Sequence, residues 1–130
     1  MSKKIGIGVD IVNINRFRKK KFQKNLNFYR KILSESEIKY CTKFKSPYEH
    51  FAAKFAIKES VIKSIPDKIS FLDIKTSNSK YGKPTVNLSG NLEGKYSFLA
   101  SVSHEREYAI AIVTAEDLTR EIFLKNYSNS

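Results

Sequence analysis

Residues 46–66 read SPYEHFAAKFAIKESVIKSIP, and the rest of the chain is arranged around this stretch. Ser46 is a good helix N-cap, Pro47 suits the first helical position because its missing N–H has no partner to lose there, and Glu49 favours the first turn. Pro66 cannot extend a helix. The spacing therefore predicts a helix over 47–65. At about 100° per residue, Phe51, Phe55, Ile62 and Ile65 form one apolar stripe, with Glu59 and Lys63 beside it as i, i+4 neighbours. Ala52 and Ala56 share the arc of Glu59 and Lys63, leaving room for a group to lie over that face. An ordinary surface Glu–Lys pair, contributing about 0.2–0.5 kcal/mol, fits the same spacing.

Towards the N-terminus, residues 5–12 (IGIGVDIV) alternate as a strand does, with Ile5, Ile7, Val9 and Ile11 on one face and Gly6, Gly8, Asp10 and Val12 on the other. Asp10 thus shares its face with two glycines. Bare backbone beside a carboxylate lets a metal or phosphate approach closely; a bulge or a tight packing contact accounts for the glycines equally well. From Ile14 to Tyr29 the apolar pattern is broken, predicting a short helix and a basic loop. Ser34 and Glu37 are spaced as a capping box, starting a helix that runs to about Phe44.

Towards the C-terminus the texture changes to short strands. Residues 69–77 (ISFLDIKTS), the turn YGKP, and TVNL at 85–88 precede a polar connection through Gly90 and Gly94. YSFLASVSH (96–104) and YAIAIVTA (108–115), separated by Glu105–Glu107, read as a hairpin. A final short helix is expected from Asp117, and NYSNS at 126–130 should fray. No internal repeat or low-complexity linker is visible. The order of elements predicts an α+β fold: one compact domain over 1–130, with a largely antiparallel sheet packed on a long helix.

The 130 residues, 41% of them hydrophobic, suffice for one modest core. No run approaches the roughly 20 apolar residues of a membrane span, and the start of the chain does not read as a cleaved signal. The single cysteine, Cys41, excludes an internal disulfide and an all-cysteine metal site and suits a reducing cytoplasm; it reads as a small apolar helix residue. The net charge is +11, from 24 Lys plus Arg against 13 Asp plus Glu. Arg16, Arg18, Lys19, Lys20, Lys21, Lys24, Arg30 and Lys31 all precede the next acid after Asp10, which is Glu35. Such a block favours a polyanionic partner, although a solvated basic face has the same composition. Phe17, Phe22, Phe28 and Tyr29 interleave with it, which leaves a nucleic-acid-binding module as an alternative reading.

A carboxylate beside glycines, a second on an alanine-rich helix face and cations nearby are the parts that Mg²⁺-dependent chemistry on a pyrophosphate requires. Mg²⁺ takes oxygen ligands and keeps several waters, so one or two carboxylates and substrate phosphates suffice. Another Mg²⁺-dependent phosphoryl-transfer enzyme or hydrolase would need the same set.

GIGVDIVNINRF (6–17), FAAKFAIKESVIKSI (51–65), YGKPTVNL (81–88) and SVSHEREYAIAIV (101–113), in that order, resemble the 4′-phosphopantetheinyl transferases of the short holo-acyl-carrier-protein synthase type. The resemblance implies transfer of the phosphopantetheine arm of coenzyme A to a serine of apo acyl carrier protein, releasing adenosine 3′,5′-bisphosphate, in the service of fatty acid biosynthesis. It implies that Asp10 and Glu59 bind Mg²⁺ with the coenzyme A pyrophosphate. Lys63 would contact that pyrophosphate and stabilise charge at the attacked phosphorus. Lys54 stands where the family commonly has an arginine near the 3′-phosphate, His104 matches a histidine at the nucleotide site, and Arg16 matches a position that grips the acidic carrier protein. Ser103 and Lys58 are further candidates. A homotrimer with active sites at subunit interfaces is implied as well, in the cytoplasm, with no nucleic acid or membrane as partner. Whether water, Glu59 or another carboxylate accepts the serine proton stays open.

Three departures from the family pattern stand out. Lys58-Glu59-Ser60 and Lys63-Ser64 carry serines where alanines are usual. Lys54 offers a point charge in place of a planar fork. The run KKKFQK (19–24) is heavier in lysine than the pattern requires.

Overall fold

The computed structural model describes residues 4–119. Strand β1 (Ile5–Asn13) leads into three short helices, α1 (Asn15–Arg18), α2 (Leu26–Ile32) and α3 (Glu35–Thr42), and then the long α4 (Tyr48–Ser64). Strands β2 (Ile74–Asn78) and β3 (Pro84–Leu88) precede β4 (Tyr96–His104) and β5 (Tyr108–Asp117). The expected antiparallel sheet is divided in two: a three-stranded sheet in the order β1-β5-β4 and a separate β2-β3 hairpin, all pairs antiparallel.

Local chemistry accounts for most boundaries. The backbone N–H of Ser34 donates to Glu37 Oε1 at 2.8 Å and the N–H of Glu37 donates to Ser34 Oγ at 3.3 Å, so the capping box forms as expected. Helix α4 begins at Tyr48, with Pro47 helical at its cap and no side-chain oxygen capping it, so Ser46 does not take the expected role. Its end at Ser64, with Ile65 extended, follows from the restriction that Pro66 places on its predecessor. Between Asn15 and Ile32 the expected short helix and basic loop are α1, a 3₁₀ turn at Phe22–Lys24 and α2. The β2–β3 turn needs Gly82, whose φ is +85°. Strand β5 extends to Asp117, so the helix expected from that residue does not start there. The remainder of that expectation, with the NYSNS segment, lies outside the described residues.

Packing on β1 decides what its two faces do. Ile5, Ile7, Val9 and Ile11 are 68, 63, 56 and 60% exposed, whereas the face of Gly6, Gly8, Asp10 and Val12 lies against α4. A Cβ on Gly6 would stand 1.8 Å from the Ser64 carbonyl oxygen, and one on Gly8 1.9 Å from that of Ser60. The glycines are therefore a close packing contact between strand and helix, not an open approach for a ligand.

Helix α4 departs from the amphipathic reading for the same reason. Phe51, Ala52, Ala56, Ser60 and Val61 are fully buried, and the helix lies in the core with the sheet along one side. Ala52 and Ala56 belong to that core and do not form the expected open platform. Ser60 Oγ lies 2.8 Å from the Ala56 carbonyl oxygen and 3.2 Å from that of Ala111 on β5, so the small side chains let helix and sheet approach. Phe17 and Tyr29 pack against the helix through Phe55 and Phe51 respectively.

Candidate active site

Asp10 lies near the end of β1 opposite Ala111 of β5, and Lys63 lies on the last turn of α4. The close approach that Gly8 permits brings them together. Lys63 Nζ donates to the Val9 carbonyl oxygen at 3.0 Å and to Asp10 Oδ1 at 3.1 Å. The Asp10 side chain is 15% exposed and that of Lys63 53%, so the pair sits at a surface with the ammonium outermost. Glu59 stands one turn before Lys63 on α4, half-buried, and is outside this hydrogen-bonded pair. Asp10 and Lys63 are thus joined directly, and Glu59 is spaced i, i+4 from Lys63 on the same helix.

Lys54 and Lys58 are both buried and hydrogen-bonded within the protein. Lys58 is fully buried and donates to Ile32 O at 2.8 Å, Glu37 Oε1 at 2.7 Å and Phe71 O at 3.0 Å, which uses all three ammonium protons. Glu37 in turn accepts from the N–H and the hydroxyl of Thr76. Lys54, 4% exposed, donates to Thr76 Oγ1 and Asn78 Oδ1, each at 3.0 Å, and its ammonium lies 4.8 Å from the centroid of the Tyr40 ring. One polar chain therefore ties α2, α3, α4 and β2. Burial alone would raise the Glu37 carboxyl, but hydrogen bonds from Lys58 and Thr76 hold it below the usual carboxylate range. Sequence reading assigned Glu37 to capping only. Its second role depends on Lys58, 21 residues away, and no local spacing signals that.

His104 ends β4 and is exposed. Beside it is a residue the sequence reading passed over. His50, in the first turn of α4, has its ring centroid 6.0 Å from that of His104 and is stacked on Phe44 at 3.7 Å. The alternation of apolar and polar residues gave no cue to it. Ser103 is exposed on β4 opposite Ile110.

Arg16 is exposed on α1, with its guanidinium 5.0 Å from the centroid of the Phe55 ring. Lys19, Lys20, Lys21, Lys24 and Arg30 are exposed or half-buried nearby in the chain. The aromatic residues interleaved with them turn inward. Phe17 and Tyr29 are fully buried, and Phe22 and Phe28 pack against the core. None of these four rings is therefore fully exposed for a base to stack on. Buried Cys41 has its thiol pushed up to about 12 by burial, as a small apolar residue would. No described helix is long and apolar enough to cross a membrane.

Residues 6–113 match the family model described as the 4′-phosphopantetheinyl transferase superfamily. The holo-[acyl-carrier-protein] synthase of Clostridium novyi is 41% identical, over 86% of this chain and 87% of its own length. The holo-(acyl-carrier-protein) synthase of Bacillus anthracis, solved in complex with CoA (3′,5′-ADP), superposes with a TM-score of 0.76 at 32% identity, covering 89% of this chain and 99% of that one. The Helicobacter pylori holo-[acyl-carrier-protein] synthase in complex with coenzyme A gives 0.71 at 38% identity, over 82% and 96%.

Proposed function

The chain belongs to the 4′-phosphopantetheinyl transferase superfamily and is an enzyme of the holo-[acyl-carrier-protein] synthase type, and from that premise we propose how its residues move the phosphopantetheine arm of coenzyme A onto a serine of apo acyl carrier protein. The observation that carries the reading is the Lys63 ammonium held between the Val9 carbonyl and the Asp10 carboxylate, one turn after Glu59.

Asp10 and Glu59 are hard oxygen donors on adjoining elements, and Asp10 keeps one carboxylate oxygen outside its bond to Lys63. That donor set fits Mg²⁺, which needs only one or two protein carboxylates when phosphate oxygens complete its shell. Asp10 and Glu59 would hold it. When bound, the ion neutralises charge on the pyrophosphate oxygens.

Lys63, the more exposed partner of the pair, donates to a pyrophosphate oxygen and stabilises charge on the phosphorus that bears the pantetheine arm. The carrier serine oxygen forms the new bond to that phosphorus and loses its proton. The bond to the bridging oxygen breaks, and adenosine 3′,5′-bisphosphate leaves with the electron pair. Fixed positioning of the two phosphates against the serine supplies the remaining rate enhancement. His104 contacts the nucleotide. Lys54, held by Thr76 and Asn78, acts through its buried positive charge and not by direct contact with the 3′-phosphate.

Arg16 and the neighbouring lysines form the docking face for the acidic carrier, where complementary charge raises the association rate. The exposed isoleucine face of β1, continued by Ile110 and Ile112 on β5, supports a homotrimer, because so contiguous an apolar surface marks an interface. A cytoplasmic place in fatty acid biosynthesis completes the reading.

The experiment is an assay of adenosine 3′,5′-bisphosphate release from coenzyme A with Mg²⁺, with and without apo acyl carrier protein. Release that depends on the carrier supports transfer. Release without it would point to hydrolysis and contradict the proposal.

A further inference from the structure

His50 and His104 reach each other from the start of α4 and the end of β4. Their ring centroids are 6.0 Å apart with planes at 69°. Phe44 covers one face of the His50 ring, with planes 17° apart, and Tyr40 meets it edge-on at 6.1 Å. The stack fixes the His50 ring, while exposed His104 opens the pair to solvent.

We propose that His50 is a second imidazole at the nucleotide site marked by His104, and that it binds the 3′-phosphomonoester of coenzyme A more tightly as pH falls. The inference rests on the function proposed above and adds to it a residue and a pH dependence.

The charged and titratable groups around His50 come from every element packed on it. Helix α4 contributes Glu49 and Lys54. Tyr40 of α3 carries the ammoniums of Lys54 and Lys43 at 4.8 and 5.2 Å from its ring centroid, and β4 contributes His104. Burial pushes the His50 imidazole below its ordinary value, His104 and Lys54 push the same way, and Glu49 opposes them. His50 is therefore neutral near pH 7 in the ligand-free protein.

A phosphate dianion beside the two rings reverses this balance. Its negative charge favours the protonated form of the half-buried ring, so binding draws a proton onto His50. Proton uptake on binding means that affinity rises as pH falls. The second ionisation of the phosphate, near pH 6, has the opposite sign but is common to any variant of the protein.

The test is calorimetric titration of the whole chain with coenzyme A and with dephospho-coenzyme A, at about pH 6 and about pH 8, on the wild type and His50→Phe. Phenylalanine keeps the stack on Phe44 and removes the charge. At about pH 6 the variant should bind coenzyme A roughly tenfold more weakly, the loss of one charge-assisted hydrogen bond. Dephospho-coenzyme A should bind both proteins equally, and at about pH 8 the proteins should be indistinguishable. His50→Gln should repeat the loss if the charge, and not the ring, is responsible. Equal affinity of wild type and variant for coenzyme A at both pH values would overturn the inference, as would equal weakening for both ligands, which is a packing effect. A wild type that binds no coenzyme A at either pH would overturn the proposed function as well, which separates the two failures.

Discussion

Lys63 donates across the helix–strand junction to Asp10 at 3.1 Å, linking the last turn of α4 to the end of β1. With a half-exposed ammonium the pair contributes little to folding, about 0–1 kcal/mol after screening by water. Lys63→Ala should leave the unfolding midpoint within about a degree or two of the wild type and lower kcat/KM by roughly 10²–10³, the usual loss for one donor to a developing oxyanion. A large stability loss with little loss of turnover would make the pair structural.

Gly8 has the opposite profile. Gly8→Ala places a methyl group 1.9 Å from the Ser60 carbonyl oxygen, which is backbone in the middle of α4 and cannot swing aside. Overpacking of this kind costs typically 1–3 kcal/mol or more, and relief requires β1 to move off the helix that carries Lys63. Urea unfolding should show that loss, and turnover should fall with it. A variant as stable and active as the wild type would contradict the packing described for β1.

The Glu37–Lys58 pair is a buried ion pair with its hydrogen bonds satisfied. Removing one partner strands the other, so Lys58→Ala should cost about 3–5 kcal/mol, and the double variant Glu37→Leu/Lys58→Met should recover most of it. The Glu37 carboxyl is held below its ordinary value, so its stabilisation is fully present above about pH 4.3, where the unfolded carboxyl ionises, and is lost as pH falls through the lower folded value. Acid titration of stability should show this component in the wild type and lack it in Glu37→Gln.

Val9 is exposed in the single chain, in the centre of the isoleucine face. If that face joins copies of the chain, light scattering should give a trimer for the wild type and a monomer for Val9→Glu, since an unpaired charge in an apolar interface is heavily disfavoured. A monomeric wild type would rule out the assembly.

The elements were largely legible in the sequence because their signals are local. The Ser34–Glu37 capping box, the stop at Pro66, the hairpin around Glu105–Glu107 and the alternation of β1 all appear in the structure. What was not legible depends on neighbours distant in sequence. The glycines beside Asp10 admitted both an open ligand approach and a packing contact, and only the position of Ser60 and Ser64 decides between them. The spacing of the α4 lysines did not reveal their partners: Lys58 has its partner on α3, Lys54 has partners on β2, and Lys63 alone of the three meets Asp10. The pairing of Asp10 with Lys63 follows from the β1–α4 contact, which no spacing within either element encodes.

Asp10, Glu59 and Lys63 are proposed to act together in phosphopantetheine transfer, with a divalent ion held by the two carboxylates. The most direct measurement is the intact mass of apo acyl carrier protein after incubation with coenzyme A, Mg²⁺ and either the wild type or Glu59→Ala, with a chelator control. The expected result is a gain of one phosphopantetheine group with the wild type, abolished by chelator and by Glu59→Ala in a variant that remains folded. An undiminished gain with chelator present, or with Glu59→Ala, would contradict it.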